Sequence, residues 1–132
     1  MSTATSTSIQ QPPVIPMRRA YSGLELPAIG FGTYRVEGFE GVRAISSALE
    51  QGYRLIDSAV NYENEGAVGR AIRESAVPRD QIIVRSKLPG RHHAYAQARL
   101  PLEASASRMG PDWSDPSLIH WPHPSQGRFV DA

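Results

Sequence analysis

The sequence predicts an α/β fold built on a parallel β-sheet, and three observations support this class. Short apolar runs alternate along the chain with segments in which apolar residues recur at helical spacing. The connections between these segments are short, which is typical of right-handed βαβ units. The chain has 132 residues, 40% of them hydrophobic and 20% charged, so we expect one domain with a packed core. Both an open doubly wound sheet and part of a (β/α)8 barrel fit this alternation.

Residues 1–17 are expected to form a disordered tail, and residues 18–132 are expected to form the folded domain. The first 16 residues carry six Ser or Thr, two Gln and three Pro, and no charged side chain. Such a segment buries too little apolar surface to offset the entropy of ordering it. No basic residue precedes an apolar stretch, as a signal peptide requires, and the lack of Arg before Arg18 makes a transit peptide the weaker alternative. We therefore expect a cytoplasmic protein.

The first half of the chain predicts a strand, a helix and a second strand. Residues 26–31 are a short apolar run, which is typical of a strand. Residues 39–51 carry apolar side chains at helical spacing, and Gly52 occupies the position at which glycine commonly ends a helix. Residues 53–59 form another short apolar run, interrupted by one acidic residue, Asp57.

The second half of the chain repeats the same alternation. Residues 65–75 have helical periodicity and are followed by Pro78, which is typical of a helix end. Residues 81–88 contain three consecutive β-branched side chains, and they predict a strand that is buried on both faces. Residues 94–109 predict a third helix, and residues 118–121 predict a further strand.

Polar residues near the ends of the predicted strands favour the barrel over the open sheet. Asp57 and Lys87 lie near the ends of the second and third predicted strands, and His120 lies near the end of the fourth. Barrel enzymes collect their catalytic groups from the C-terminal ends of several different strands.

Composition excludes several functional classes. The chain has no cysteine, which excludes a disulfide scaffold, a cysteine-based zinc site and a thiol nucleophile. Lys and Arg total 14 against 13 Asp and Glu, so the net charge of +1 gives no reason to expect a nucleic-acid partner. The apolar runs are far shorter than the length that spans a bilayer, and we expect no membrane partner.

Other catalytic and binding motifs lack support in the sequence. Gly30 and Gly32 suggest a dinucleotide-binding fingerprint, but Arg35 stands where the third glycine is required. The adjacent pair His92 and His93 has no carboxylate or cysteine at ligand spacing, and the same holds for His120 and His123, so no metal site is predicted. No Gly-x-Ser-x-Gly sequence exists to support a hydrolase. The remaining Lys and Arg residues are scattered, as on an ordinary solvated surface.

Five short motifs occur in one order along the chain. They are GFGTY at residues 30–34, LIDSA at 55–59, YENE at 62–65, SKL at 86–88 and LIHWP at 118–122. Together they resemble the aldo-keto reductase family, and the resemblance extends from about residue 18 to the C-terminus. It implies a (β/α)8 TIM barrel of which this chain is the first half, with an N-terminal hairpin, about four strands and three helices. Residues 18–26 resemble the hairpin that closes the bottom of that barrel, with Ser22 and Gly23 as its turn.

The resemblance implies an oxidoreductase that reduces aldehydes or ketones to alcohols with NADPH. The catalytic tetrad of the family falls on Asp57, Tyr62, Lys87 and His120. Tyr62 would be the proton donor, and Lys87 and Asp57 would tune its acidity. A lysine cation beside a tyrosine stabilises the phenolate, and a carboxylate paired with that lysine limits the cost of burying its charge. His120 would orient the carbonyl by donating a hydrogen bond.

The resemblance also implies residues that contact the cofactor and the substrate. Gly32, Thr33, Tyr34 and Asp57 would lie at the cofactor, and Tyr34 and Trp121 would wall the pocket of a small carbonyl substrate. The residues that bind the 2′-phosphate of NADPH belong to the later half of the family's barrel. A complete barrel takes about 250 residues.

The leading alternative is a catalytically inactive half-barrel that lacks the second half of the cofactor site. Such a half-barrel is expected to self-associate through its exposed sheet edges and inner face. A member of the family kept as a nucleotide-binding subunit is a third possibility, and it is disfavoured because the tetrad residues are present.

Residues 100–117 depart from the pattern that both flanks follow. Pro101 falls inside the third predicted helix, and Ala106 stands where a large apolar residue is expected on the buried face. Pro111, Ser114, Pro116 and Ser117 occupy positions where the family is mostly apolar. We expect Pro101 and Pro116 to lower stability, because each removes a backbone hydrogen-bond donor from a regular element.

Overall fold

A computed structural model of the chain describes residues 11–92, 94–110, 113, 115–122, 124–125 and 127. The strands are β1 (Met17–Arg19), β2 (Glu25–Pro27), β3 (Phe31–Gly32), β4 (Leu55–Asp57), β5 (Ile83–Pro89) and β6 (Ser117–His120). The helices are α1 (Gly38–Glu50), α2 (Glu65–Glu74) and α3 (Tyr95–Met109), with short 3₁₀ turns at Val60–Tyr62, Arg79–Gln81 and Gly90–His92.

Four strands form one parallel sheet in the order β3-β4-β5-β6. The helix α1 connects β3 to β4, α2 connects β4 to β5, and α3 connects β5 to β6. This sequential order of βα units is that of the first half of a (β/α)8 barrel, as the sequence predicts, and it differs from the reordered strands of a doubly wound sheet.

A separate antiparallel hairpin precedes the parallel sheet, as predicted for residues 18–26. In it β1 pairs with β2, and Gly23 takes a φ of +89° in the turn, a conformation that favours glycine. The prediction of one strand over residues 26–31 is wrong. Leu26 and Pro27 belong to β2, and β3 contains only Phe31 and Gly32. β2 pairs with β1, whereas β3 pairs with β4. The apolar character of residues 26–31 does not show where one strand ends and the other begins, because it does not depend on the pairing partner.

The helices cover one face of the sheet and form the core with it. The core residues of α1 are Val42, Ile45 and Leu49, and those of α2 are Val68, Ala71 and Ile72. They pack with Ile56, Ile82, Val84 and Met109. The glycine after α1, Gly52, has a φ of +100° and donates its backbone N–H to the carbonyl of Leu49, which ends the helix as predicted.

The strand β5 is buried on one face only, and the prediction of burial on both faces is wrong. Val84, Ser86 and Leu88 are buried, whereas the alternate residues Arg85 and Lys87 are only partly buried. The cause is the sheet geometry. Alternate residues of a strand point to opposite faces, and in this chain the helices cover only one of them.

Two side chains complete the hydrogen bonds of β5 just before β6 begins. The indole Nε1 of Trp113 donates to the carbonyl of Val84, and the backbone N–H of Val84 donates to Asp115 Oδ2. β6 has not yet started at this position. The two side chains therefore supply hydrogen bonds to the backbone of β5 that a neighbouring strand would otherwise supply. Pro116 therefore lies before β6 and not inside it.

The helix α3 continues through Pro101, and its buried face differs from the prediction. Ala106 is only partly buried, whereas its neighbour Ser105 is fully buried. Ser105 is buried because its hydroxyl donates to the carboxylate of Glu65 on α2. Pro111 and Ser114 lie outside the described residues.

Pro101→Ala is expected to raise the free energy of unfolding by about 1 to 3 kcal/mol, because it restores a donor to the carbonyl of Gln97 inside α3. The matched control is Pro116→Leu, which changes a residue outside any regular element and should have a smaller effect. Denaturant unfolding and far-UV circular dichroism of both variants measure the difference. Equal effects of the two substitutions would contradict this expectation.

Residues 11–16 lie beside Gly52, at the end of the sheet opposite to the carboxyl ends of the strands. A Cβ atom added to Gly52 would lie 2.9 Å from the carbonyl oxygen of Pro13. The backbone N–H of Ala28 donates to the carbonyl of Pro16, and β1 begins at Met17. The rest of the expected tail, residues 1–10, lies outside the described residues. Within the described ranges, no helix is both long and apolar enough to cross a bilayer.

Candidate active site

The carboxyl ends of β4, β5 and β6 bring four predicted site residues to one end of the sheet. Asp57 is the last residue of β4, Lys87 lies near the end of β5, and His120 is the last residue of β6. Tyr62 ends the 3₁₀ turn that follows β4. These are the four positions that the sequence assigns to the tetrad, and the fold brings them together.

Lys87 connects the members of this group through its ammonium. Its Nζ donates to Asp57 Oδ2 over 2.7 Å and to the carbonyl oxygen of Ser58 over 2.8 Å. A third, longer contact of 3.5 Å runs from Nζ to the hydroxyl oxygen of Tyr62. Lys87 is 14% exposed and Asp57 is 24% exposed, so the pair is partly shielded from solvent. Because the ammonium donates to the phenol oxygen, the phenol proton remains available for another acceptor.

The turn that carries Tyr62 is held in place by the buried side chain of Asn64. Its Nδ2 donates to the carbonyl oxygens of Thr33, over 2.6 Å, and Val36, over 2.8 Å. The hydroxyl of Ser58 donates to Asn64 Oδ1. These bonds connect the loop after β3 with the segment after β4. The position of Tyr62 is therefore fixed by groups in the segments that follow two neighbouring strands.

His120 stands edge-on to the phenol ring of Tyr62, with ring centroids 5.8 Å apart. Desolvation lowers the pKa of His120 below its ordinary value of 6.5, and the nearby Lys87 cation lowers it further, while Asp57 acts in the opposite direction. At neutral pH the imidazole is therefore uncharged, and one ring nitrogen carries a proton. Its Nδ1 is buried and has no hydrogen-bond partner among the residues that the structure describes.

The lowered pKa of His120 predicts a stability that falls as the pH drops below about 6.5. In that range the unfolded chain binds a proton at this histidine more readily than the folded chain does. The stability that neutral His120 contributes is fully lost once the pH falls below the pKa of His120 in the folded chain. His120→Asn should therefore flatten the pH dependence of the unfolding free energy below a pH of about 7, with no change of slope near pH 8. Denaturant unfolding across this range is the measurement, and parallel curves for both proteins would contradict the expectation.

The four residues predicted to contact a cofactor are placed differently from one another. Gly32 is exposed, and a Cβ atom added to it would meet nothing within 4 Å. Thr33 is fully buried, and its hydroxyl donates to the carbonyl oxygen of Asp57. Asp57 has both oxygens occupied by cations. Thus Gly32 and Tyr34 are exposed, whereas Thr33 is buried and connects β3 to β4.

The two aromatic residues predicted to wall a substrate pocket flank the tetrad. The Tyr34 ring lies 5.3 Å from the Tyr62 ring, and the Trp121 ring stacks on His120 at 6.2 Å. Tyr34 is 62% exposed and Trp121 is 74% exposed. Together they form two aromatic surfaces on either side of Tyr62 and His120.

Arg85, which was not predicted from the sequence, belongs to the same cluster. Its Nε donates to Asp57 Oδ1 over 2.9 Å, and its side chain is 26% exposed. The interpretation of the arginines as an ordinary solvated surface is wrong for this residue. The available signal was the spacing of two between Arg85 and Lys87, which places both side chains on one face of a strand.

Glu65, the first residue of α2, has a structural role that was not predicted from the sequence either. Glu65 is 1% exposed, and its carboxylate accepts hydrogen bonds from Ser86, Ser105 and Arg108. A Cβ atom at Gly69 would collide with the backbone carbonyl of Arg108, so a glycine is needed where α2 and α3 approach each other. This cluster connects α2, α3 and β5 behind the tetrad.

The sequence also matches a known protein family. A model of a protein family described as the aldo/keto reductase family matches residues 28–127. The chain belongs to the aldo-keto reductase family.

Relatives within the aldo-keto reductase family match most of this chain. The 2,5-diketo-D-gluconic acid reductase B of Corynebacterium sp. (strain SHS752001) is 50% identical over 120 residues, which cover 91% of this chain and 43% of that protein. The crystal structure of an aldo/keto reductase from Brucella melitensis superposes with a TM-score of 0.83 at 36% identity, covering 89% of this chain and 46% of that one. The chain thus spans less than half the length of these relatives.

One solved aldo-keto reductase carries a bound nucleotide. The crystal structure of the Bombyx mori aldo-keto reductase in complex with NADP has a TM-score of 0.74 at 32% identity, and it covers 83% of this chain and 39% of that one.

Among the described residues of this chain, no group of three or more His, Asp or Glu side chains could hold a metal ion. His93 and His123, which the sequence places near other histidines, lie outside the described residues.

Proposed function

We propose that this chain supplies the acid–base half of a cytoplasmic oxidoreductase that reduces small aldehydes or ketones to alcohols with NADPH. The observation that carries the proposal is the connected group Asp57–Lys87–Tyr62, with His120 edge-on to the Tyr62 ring. These contacts support the roles that we propose for Asp57, Lys87 and Tyr62.

Reduction of a carbonyl adds a hydride to carbon and a proton to oxygen, and this chain supplies the proton. Tyr62 gives its phenol proton to the carbonyl oxygen and becomes a phenolate. The Lys87 ammonium, 3.5 Å from the phenol oxygen, stabilises that negative charge. Asp57 and the carbonyl of Ser58 hold the ammonium in place. Water returns the proton to Tyr62 after the alcohol leaves.

His120 orients the carbonyl in this scheme. Because its pKa is lowered, the neutral imidazole presents one N–H to the carbonyl oxygen without placing a second cation next to Lys87. Polarising the carbonyl makes its carbon a better hydride acceptor. Tyr34 and Trp121 offer exposed aromatic surface on either side of the reacting group.

When bound, NADPH supplies the hydride. The residues present fit its reactive ring, since Gly32 leaves open space beside the strand end and Tyr34 presents an exposed ring. Support for this cofactor comes from the bound NADP of the Bombyx mori relative. Support for a small carbonyl substrate comes from the Corynebacterium relative, which is named as a reductase of a diketo sugar acid.

A second candidate is an inactive half-barrel, and the exposed inner face of the sheet favours it for the chain of 132 residues acting alone. Leu118 is 41% exposed on β6, and Tyr34 and Trp121 are largely uncovered. Such surface promotes self-association. We therefore expect residues 1–132 alone to bind no NADPH, to reduce no aldehyde and to form oligomers.

A chimaera separates the two candidates. Residues 1–132 are joined to the remaining part of the Corynebacterium reductase, of which this chain already matches 43%. The proposed function requires that the chimaera bind NADPH saturably by fluorescence and reduce an aldehyde, while residues 1–132 alone do neither. A soluble chimaera that binds NADPH without turnover would contradict the catalytic roles given to these residues. Turnover by residues 1–132 alone would contradict the second candidate.

A further inference from the structure

Asp57 is held by two cations, one on each carboxylate oxygen. Lys87 occupies Oδ2 at 2.7 Å, and Arg85 occupies Oδ1 at 2.9 Å. Arg85 is the direct partner of Asp57 in the β4–β5 ladder. Both cations project from the face of β5 that the helices leave uncovered, because they are two residues apart on one strand.

We propose that Arg85 is a positioning residue for the reduction, acting on Tyr62 through Asp57 and Lys87. The inference rests on the proposed function, since it assigns Arg85 to the same proton-donating group. Arg85 fixes the rotation of the Asp57 carboxylate and adds a positive charge to the cluster.

The geometric part of this role follows from the bonds of Asp57. A carboxylate with a charge-assisted hydrogen bond on each oxygen rotates only by breaking one of them. Its orientation determines where Lys87 Nζ lies, because Nζ is held between Asp57 Oδ2 and the carbonyl of Ser58. The contact of 3.5 Å between Nζ and the Tyr62 hydroxyl oxygen therefore depends on Arg85 as well.

The electrostatic part follows from the sum of charges. Asp57 alone would neutralise Lys87, whereas Arg85, Asp57 and Lys87 together carry one net positive charge. The side chains are only 14% to 26% exposed, so solvent screens them less than it screens surface pairs. A net positive cluster beside Tyr62 favours the phenolate that forms when the proton is given up.

The test is a spectroscopic titration of the 132-residue chain, which needs neither cofactor nor substrate. The chain has five tyrosines, and the difference between wild type and Tyr62→Phe isolates the phenolate absorbance of Tyr62. In Arg85→Met, which keeps an unbranched stem without the charge, this absorbance should appear at a higher pH. Arg85→Lys, which restores a cation, should return it towards the wild-type pH. If circular dichroism shows that Arg85→Met does not fold, Arg85→Gln replaces it in the same comparison.

Arg79→Met is the matched control. Arg79 is paired with Asp115 at 2.6 Å and is 31% exposed, and it lies at the opposite end of β5 from Lys87. Its loss should lower stability without moving the Tyr62 titration. An unchanged Tyr62 titration in folded Arg85→Met, or an equal shift in Arg79→Met, would overturn the role of Arg85. The titration does not measure turnover. Its outcome therefore tests the role of Arg85 even if the chimaera shows no reductase activity.

Discussion

Tyr62→Phe is expected to abolish carbonyl reduction in the chimaera described above while leaving NADPH binding nearly intact. The substitution removes one hydroxyl, whose oxygen lies 3.5 Å from Lys87 Nζ, and it keeps the ring contacts with Tyr34 and His120. Loss of a positioned general acid costs about a factor of 100 to 10,000 in rate. Steady-state turnover and a fluorescence titration with NADPH measure the two effects separately.

Tyr53→Phe provides the chemically matched control. Tyr53 contacts Phe31 and lies before β4, away from the tetrad. Its hydroxyl should be dispensable for turnover. A Tyr62→Phe chimaera that retains activity within a few-fold of the parent would remove Tyr62 from the role of proton donor.

Arg108→Met is expected to lower the free energy of unfolding by about 3 kcal/mol or more, because it leaves a buried carboxylate without its cation. Glu65 is 1% exposed, and Arg108 Nε and Nη2 donate to its Oε2 over 2.8 and 2.6 Å. The hydroxyls of Ser86 and Ser105 remain as donors, but they carry no charge. Denaturant unfolding is the measurement.

The control for this variant lies on the same helix. Arg99 pairs with Glu103 at 2.7 Å, and both side chains are largely exposed. Since an ion pair in solvent contributes little, Arg99→Met should leave stability almost unchanged. Equal stability of the Arg108→Met and wild-type chains would show that the serine hydroxyls alone satisfy Glu65. Glu65→Gln, which removes the charge and keeps the shape, should lower stability less than Arg108→Met.

Much of the secondary structure could be predicted because its signals are local. Helical spacing of apolar residues identified α1 and α2, and Gly52 marked the end of α1. The prediction failed over residues 26–31, where one apolar run serves two strands in different sheets. Pattern alone contains no information about which partner a short strand will pair with.

The buried face of α3 was a second failure with a specific cause. A large apolar side chain was expected at Ala106, yet the fully buried position is Ser105. The cost of burying the Ser105 hydroxyl is offset by its hydrogen bond to Glu65, which lies 40 residues earlier in the chain. Hydrophobic periodicity does not detect a buried polar side chain whose partner is remote.

The sequence by itself determined the strand–helix alternation and the residue types of the tetrad, because both are written in short contiguous motifs. Only the tertiary structure decided which charges meet. Asp57 and Arg85 are 28 residues apart and are brought together by the register of β4 on β5. Glu65 and Arg108 are 43 residues apart and meet because α2 and α3 pack closely at Gly69. Such pairs depend on strand register and helix approach, which arise from the packing of the whole core and not from local propensity.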